Sequence, residues 1–316
     1  MFFKAGTINP PATTIQKPMK TYRLIPLLAL LATLAISSCG SNDDDSTSTS
    51  KDQKTTQKNV NANPATRSEL GRLEVPRVKG TDDNLVLIHR AADDDVNFMV
   101  EWDCRKKSQR WTCYTLHRGN SPKNVSRYYG DPRYPNDPDL PSAYYFDSDP
   151  FTGSGYDHGH ICPSYDRLNS SKANYQTFYL TNMQPQLNVF NAGLWLSMES
   201  IVSRTWNLNS FRDTLYICKG GTIDSPDQIM RTTPKGLIVP KYFFMAVLCK
   251  NSQGYKAIAF WTEHYTTDHT NDNLLNYVVS IDELERLTGI DFFCNLPDDL
   301  EETTEKVVYP SAWSLR

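Results

Sequence analysis

Residues 155–199 (GYDHGHICPSYDRLNSSKANYQTFYLTNMQPQLNVFNAGLWLSME) constrain this chain more than any other stretch. Their order reads as strand, loop, strand, turn, helix. Tyr156, His158, His160 and Cys162 alternate, so a strand places them on one side. Pro163 and the polar run Asn169-Ser170-Ser171 break that strand. TFYLTNM, rich in β-branched and aromatic residues, resumes as a second one. From Gly193 to Trp206 the apolar residues Leu194, Trp195, Met198, Ile201 and Val202 fall at helical spacing, which predicts an amphipathic helix.

The whole chain of 316 residues is 39% hydrophobic and 22% charged, ordinary for a globular protein. A net charge of −3 gives no global basic signature for nucleic acid, so local charge has to decide. The N-terminus reads as an address. A short basic start (Lys20, Arg23), an apolar run from Leu24 to Ile36 and the small residues before Cys39 predict a secretory signal too short to span a membrane. Ile36-Ser37-Ser38-Cys39 resembles a lipobox, which makes Cys39 the expected lipidated first residue of an exported bacterial lipoprotein at the outer membrane or cell surface. Met19 is then the expected start. Residues 40–83, polar and nearly devoid of apolar side chains, read as a disordered tether, and the acidic run Asp43-Asp44-Asp45 reads equally well as a surface-sorting signal or as solvated linker. The expected domains are thus 1–39 signal, 40–83 tether and 84–316 folded.

Six cysteines remain beyond Cys39, an even number that permits disulfides in an exported protein. Cys104 and Cys113 flank a turn at Lys106-Lys107-Ser108 and are the expected hairpin pair. Segments VLIHR, NFMVEWDC and RWTCYTLHR predict the first strands, 131–150 a Pro- and Asp-rich loop, and DTLYICKGGT, LIVPKYFFMAVLCK and YKAIAFWTEH three more β runs. Ser280 and Gly289 bracket a capped helix. The fold class is α+β, a mainly antiparallel sheet with the central helix packed on it. Between Cys104 and Arg133 eight Lys or Arg residues oppose one acid, with Trp111, Tyr114, Tyr128 and Tyr129 interleaved. Such a run is most often a solvated face. Its place ahead of the His-rich strand points instead to a substrate groove, with Arg110 and Arg118, and Arg167 beyond the motif, as candidate phosphate contacts.

His160 sits beside Gly159 at the start of a polar loop, where an imidazole suits proton abstraction from water. Asn191 lies at or just before the helix start, with Glu199 two turns on. A neutral amide oxygen aided by a carboxylate through water suits Mg²⁺. Asn is equally a favoured N-cap, and that reading stays open. A zinc site on the alternating His158, His160 and Cys162 is a rival, with His264, His269 or Glu263 completing it.

DHGH with ICPSYDR, then TNMQPQ, then NAGLWLSMES, resembles the DNA/RNA non-specific endonucleases, the ββα-metal nucleases that include endonuclease G. Their pattern is D-R-G-H, an N-x-x-P-Q turn and an N-x-G-x-W…E helix. The resemblance spans roughly residues 84–300. It implies a ββα-metal core and a sugar-non-specific, Mg²⁺-dependent endonuclease acting on DNA and RNA, with Mn²⁺ or another divalent ion as a substitute; with the N-terminal signal, the expected enzyme is exported. His160 becomes the general base, Asn191 the direct metal ligand, and Glu199 a ligand through water. Asn182 supports the site, and Asp157 steadies the turn. Two departures remove cations. His158 stands where the family has Arg, and Ser203 stands four residues after Glu199 where an Arg is usual, with Arg204 about 100° further round. A nuclease weakened into a surface polyanion binder is the alternative these departures suggest.

Overall fold

Alternation in the sequence matures into a seven-stranded antiparallel sheet ordered β1-β2-β3-β6-β9-β10-β11. A computed structural model of the chain describes residues 58–91 and 95–315. The expected signal, Met19 and the lipidated Cys39 lie outside the described residues. The strands are β1 (Asn84–Arg90), β2 (Val96–Asp103), β3 (Ser108–His117), β4 (Asp157–His160), β5 (Met183–Gln186), β6 (Thr214–Gly221), β7 (Ile229–Thr232), β8 (Ile238–Pro240), β9 (Tyr242–Asn251), β10 (Gly254–Glu263) and β11 (Val278–Val279). β4 pairs with β5, and β7 with β8, in two small antiparallel sheets.

The long apolar run of β9 has a simple cause: both faces of the large sheet are covered. Phe243, Met245 and Val247 point into one core, with Leu194, Trp195, Met198, Val202 and Trp206 of the central helix. Phe244, Ala246 and Leu248 point into a second core, with Ile281, Leu284, Phe292 and Phe293. Full burial of such side chains contributes about 1.5–3 kcal/mol each, so the sheet is clamped from both sides.

Four expectations need correction. The domain does not begin at Asn84: Leu70 and Val75 are buried in the second core, and Asn63 donates to Leu70 O and Pro76 O while accepting from Val78 N. Scattered apolar residues plus asparagine–backbone bonds dock residues 58–83 where average composition suggested a tether. TFYLTNM is not a strand. Thr177 Oγ1 donates to Asn174 O, and Asn182 spends its amide on nearby backbone, so local bonds replace the ladder until Met183. The central helix starts at Asn188 rather than Gly193 and runs to Trp206, with π-type turns at Asn191–Trp195 and Ile201–Trp206. Cys104 and Cys113 do not pair. Cys113 lies opposite Met99 and enters the second core, while Cys104 sits in the turn and packs in the first. All six described cysteines are buried free thiols.

The capped helix forms as expected. Ser280 Oγ accepts from Glu283 N, and Gly289 ends Ile281–Thr288 at φ +68°. No helix among the described residues is long and apolar enough to cross a membrane.

Candidate active site

β4 and β5 form a two-stranded ribbon that carries His160 opposite Met183 and leads into the central helix. Gly159 is needed here, since a Cβ at this position would meet the Gln186 side chain at 2.4 Å. Beyond the strand Asn182 acts as a staple. Its Oδ1 accepts from Cys162 N at 2.8 Å, and its Nδ2 donates to Cys162 O and Thr177 O at 2.9 and 2.8 Å. It is fully buried, so it positions the turn without facing any ligand.

The ribbon and the helix enclose a cleft of about 500 Å³ walled by Asp157, His158, His160, Asn191 and Glu199. His160 Nδ1 lies 3.2 Å from His158 O, and a carbonyl only accepts, so Nδ1–H donates. The lone pair is therefore on Nε2, which is buried and has no protein partner. Burial, with the Arg127 and Arg133 charges nearby, pushes the ring's pKa down to about 3. It stands as a neutral base in one tautomer.

That depression has a measurable consequence. The His160 ring protons are expected to show no NMR titration between about pH 5 and 8, and a midpoint near the usual 6.5 would contradict the geometry. A lowered histidine pKa stabilises the fold above about pH 6.5. That contribution fades as pH falls towards 3.

Asp157 Oδ2 accepts from Asn188 Nδ2 at 2.9 Å and Asn191 Nδ2 at 3.0 Å. Asp157 therefore orients the helix start more than its own turn. Asn191 lies inside the helix, so its side chain is not a cap. With the amide nitrogen engaged, its Oδ1 is the atom left for the cleft. Glu199 faces the same space, its Oε1 2.5 Å from the Nζ of fully buried Lys219 on β6. Burial holds its carboxyl above the usual range, with Lys219 pulling the other way. One amide oxygen and acidic oxygens fit a hard divalent cation such as Mg²⁺.

The zinc set does not assemble. Cys162 is buried in the first core, and His158 Nε2 lies 3.0 Å from both oxygens of Asp149. The other histidines weighed for it are engaged elsewhere. His264 accepts from Leu187 N at 2.8 Å and donates to Pro240 O, which fixes the chain just before the helix, while His269 bonds Asp272. Among the described residues two His/Cys/Asp/Glu clusters have metal-compatible spacing, and neither lines the cleft. In one of them, His89 and Thr181 already occupy Asp137.

His158 is stacked between Tyr134 (3.6 Å between centroids) and Phe151 (4.2 Å), and burial lowers its pKa despite Asp149. It is thus a neutral wall rather than a stand-in cation. Among the arginines the expectation needs correction. Arg167 is buried and donates to Asn97 O, Asp166 O and Thr115 O, each at 3.0 Å. Arg110 is buried against Glu101 and Asp224. Arg118 is exposed in the turn after β3, outside the cleft lining. The cations at the cleft are instead Arg127 in its wall and Arg133, both with guanidinium carbons 4.9 Å from the Phe178 ring that abuts His160. Both belong to the basic run but carry no local mark. Arg204 reaches the rim, 5.5 Å over the Tyr165 ring, with Lys123 4.3 Å over the same ring.

Comparison with known proteins places the chain in a family. The family described as DNA/RNA non-specific endonuclease matches residues 89–299. The chain is similar to a nuclease of Nostoc sp., 35% identical over 50% of this chain and 58% of that protein. Nuclease C1 of Cunninghamella echinulata is 25% identical over 63% of this chain and 81% of its own length. The mitochondrial nuclease EXOG of Xenopus laevis is 26% identical over 65% and 58%. The chain thus spans little more than half of the Nostoc and Xenopus relatives. A crystal structure of the EndoG/EndoGI complex aligns at a TM-score of 0.58 and 21% identity, over 74% of this chain and 94% of that one, a likeness of fold.

Proposed function

The chain belongs to the DNA/RNA non-specific endonuclease family, and from that premise we propose that it is a divalent-metal-dependent nuclease hydrolysing phosphodiester bonds in both DNA and RNA. The observation that carries the reading is His160 Nε2, a buried and unpartnered lone pair on a residue that lines the cleft with Asn191 and Glu199. His160 takes the proton from the attacking water, and its Nδ1–H to His158 O holds the ring for that transfer. Arg127 and Arg133 neutralise the phosphate oxygens from the Phe178 side. Asn191 Oδ1 would hold Mg²⁺ directly, with Glu199 gripping it through water. When bound, the ion supplies a charge sink for the phosphate and acidifies its waters. The roles assigned here all act on the phosphodiester backbone, which favours sequence tolerance.

Plasmid DNA and RNA incubated with Mg²⁺, with and without EDTA, test the reading. Cleavage of both that stops on chelation is expected, whereas intact but shifted bands would favour a binder. Arg127 and Arg133 put cations beside the cleft in spite of His158 and Ser203, which weakens the motive for the binder alternative. Arg127→Gln is expected to raise KM and reduce the slope of log binding against log salt by about 1. An unchanged slope would remove Arg127 from the phosphate site.

The apolar run Leu24–Ile36 and the Ile36–Cys39 motif support export and lipid anchoring through Cys39 at the outer membrane or cell surface. Release of a Cys39→Ala variant from the membrane fraction would support the anchor. Equal retention would remove it.

A further inference from the structure

Far along the chain from the cleft motif, Asp282 and Glu285 of the helix Ile281–Thr288 meet Glu305 of the C-terminal helix Asp298–Glu305. One carboxylate oxygen from each lies within 4.8 Å of the other two. Glu305 is 4% exposed, and its Oε1 is buried with no protein partner. Buried carboxylates are normally paired. Every charge recorded as acting on Glu305, from Glu285, Glu301, Asp291 and Asp282, is negative.

The basic side chains around the cluster are engaged elsewhere. Arg286 bonds Glu283, Lys306 reaches Glu302, and Arg77 bonds Asn61 O and Ala62 O beside Asp291. Asn61 bridges Asp291 and Glu301, which leaves Asp282, Glu285 and Glu305 to one another. Glu285 still accepts from Phe292 N at 2.7 Å through Oε1, so its position is set by the chain. Without a cation, burial and like charge push Glu305 up to about 10 and Glu285 up to about 8.

We propose that Asp282, Glu285 and Glu305 form a second divalent-cation site, suited to Ca²⁺, that clips the C-terminal helix to the helix Ile281–Thr288. Three oxygens at about 2.3–2.6 Å from one Ca²⁺ stand about 4.0–4.5 Å apart when spread evenly, which falls inside the 4.8 Å that bounds this cluster. Mg²⁺ demands near-ideal octahedral geometry and gives up its waters reluctantly, so a cluster of three carboxylates with an open side suits Ca²⁺ better. Exposed Asp282 leaves one side open to the waters that complete Ca²⁺ coordination. The site is separate from the cleft, so its ion is structural.

Calorimetric titration of the chelator-treated full chain with CaCl₂, alongside thermal unfolding, tests the proposal. One Ca²⁺ per chain with a raised Tm is expected, retained in Asn191→Ala, which removes the cleft ligand. Glu305→Gln and the surface variant Asp282→Asn should each weaken Ca²⁺ at least about tenfold. Mg²⁺-supported nuclease activity should not change in either. The surface variant covers the case in which Glu305→Gln fails to fold. An absent Tm shift in the wild type, or Ca²⁺ affinity equal in Asp282→Asn and wild type, would overturn the site.

Discussion

Replacing His160 by alanine is expected to slow phosphodiester cleavage by about 10²–10⁴-fold without unfolding the protein, the range removed with a positioned general base. The expectation follows from atoms rather than from motif likeness. His160 Nδ1–H is committed to His158 O, and Nε2 has no protein partner. The ring is neutral well below neutrality, so it is ready to accept a proton at working pH. The ring packs edge-on to Phe178 at 4.9 Å, so its loss leaves a small void that the fold tolerates. Initial rates on plasmid DNA, with circular dichroism to confirm folding, decide the matter. Added imidazole should restore part of the lost rate in His160→Ala and none in Asn191→Ala. A variant retaining activity within about tenfold of wild type would take His160 out of the chemistry.

Lys219→Met is expected to cost about 3–5 kcal/mol of stability, the range for breaking a buried ion pair by removing one partner. Lys219 lies on β6 between Thr112 and Met245, its Nζ 2.5 Å from Glu199 Oε1 and 4.9 Å from the Trp195 ring. Its side chain is 1% exposed, so Lys219 has no water to fall back on, while Glu199, 15% exposed, has only the water of the cleft. Without Lys219 the Glu199 carboxyl, already raised by burial, rises further. A carboxyl with a raised pKa favours the folded state at low pH and disfavours it as pH climbs through that value. The deficit in Lys219→Met should therefore be smallest in acid and widen towards alkaline pH. Urea unfolding at several pH values measures it. The double variant Lys219→Met/Glu199→Gln should recover most of the loss, since it leaves no unpaired charge. A single-variant cost below about 1 kcal/mol would show that the pair contributes little. The same substitution should raise the Mg²⁺ concentration needed for activity, because a protonated Glu199 no longer attracts a metal-bound water.

Lys219 also accounts for a departure in the central helix. Position 203 is Ser, and Arg204 points to Tyr165 at the rim rather than to Glu199. The counter-charge for Glu199 comes instead from a strand 20 residues further along. Arg127 and Arg133, from the loop between β3 and β4, likewise put cations beside His160.

What could be read from the chain was local. The DHGH strand, the helix holding Asn191 and Glu199, and the Ser280–Gly289 caps all rest on contacts within a few residues, or on a period of 2 or 3.6, and these survive without a fold. Side-chain backbone bonds at Thr177 and Asn182 were the local exception, because they suppressed a strand that β-propensity favoured. What composition could not reveal was which cations reach the cleft. Arg110, Arg127 and Arg133 lie in one basic run, yet Arg110 is buried on Glu101 while the other two flank His160. Sheet register and the path of the 118–150 loop separate them, and both depend on packing between residues far apart in the chain. The docking of residues 58–83, the Lys219–Glu199 pair and the Asp282–Glu285–Glu305 cluster arise in the same way. They exist because two covered sheet faces bring distant segments together, and a linear sequence carries no measure of that distance.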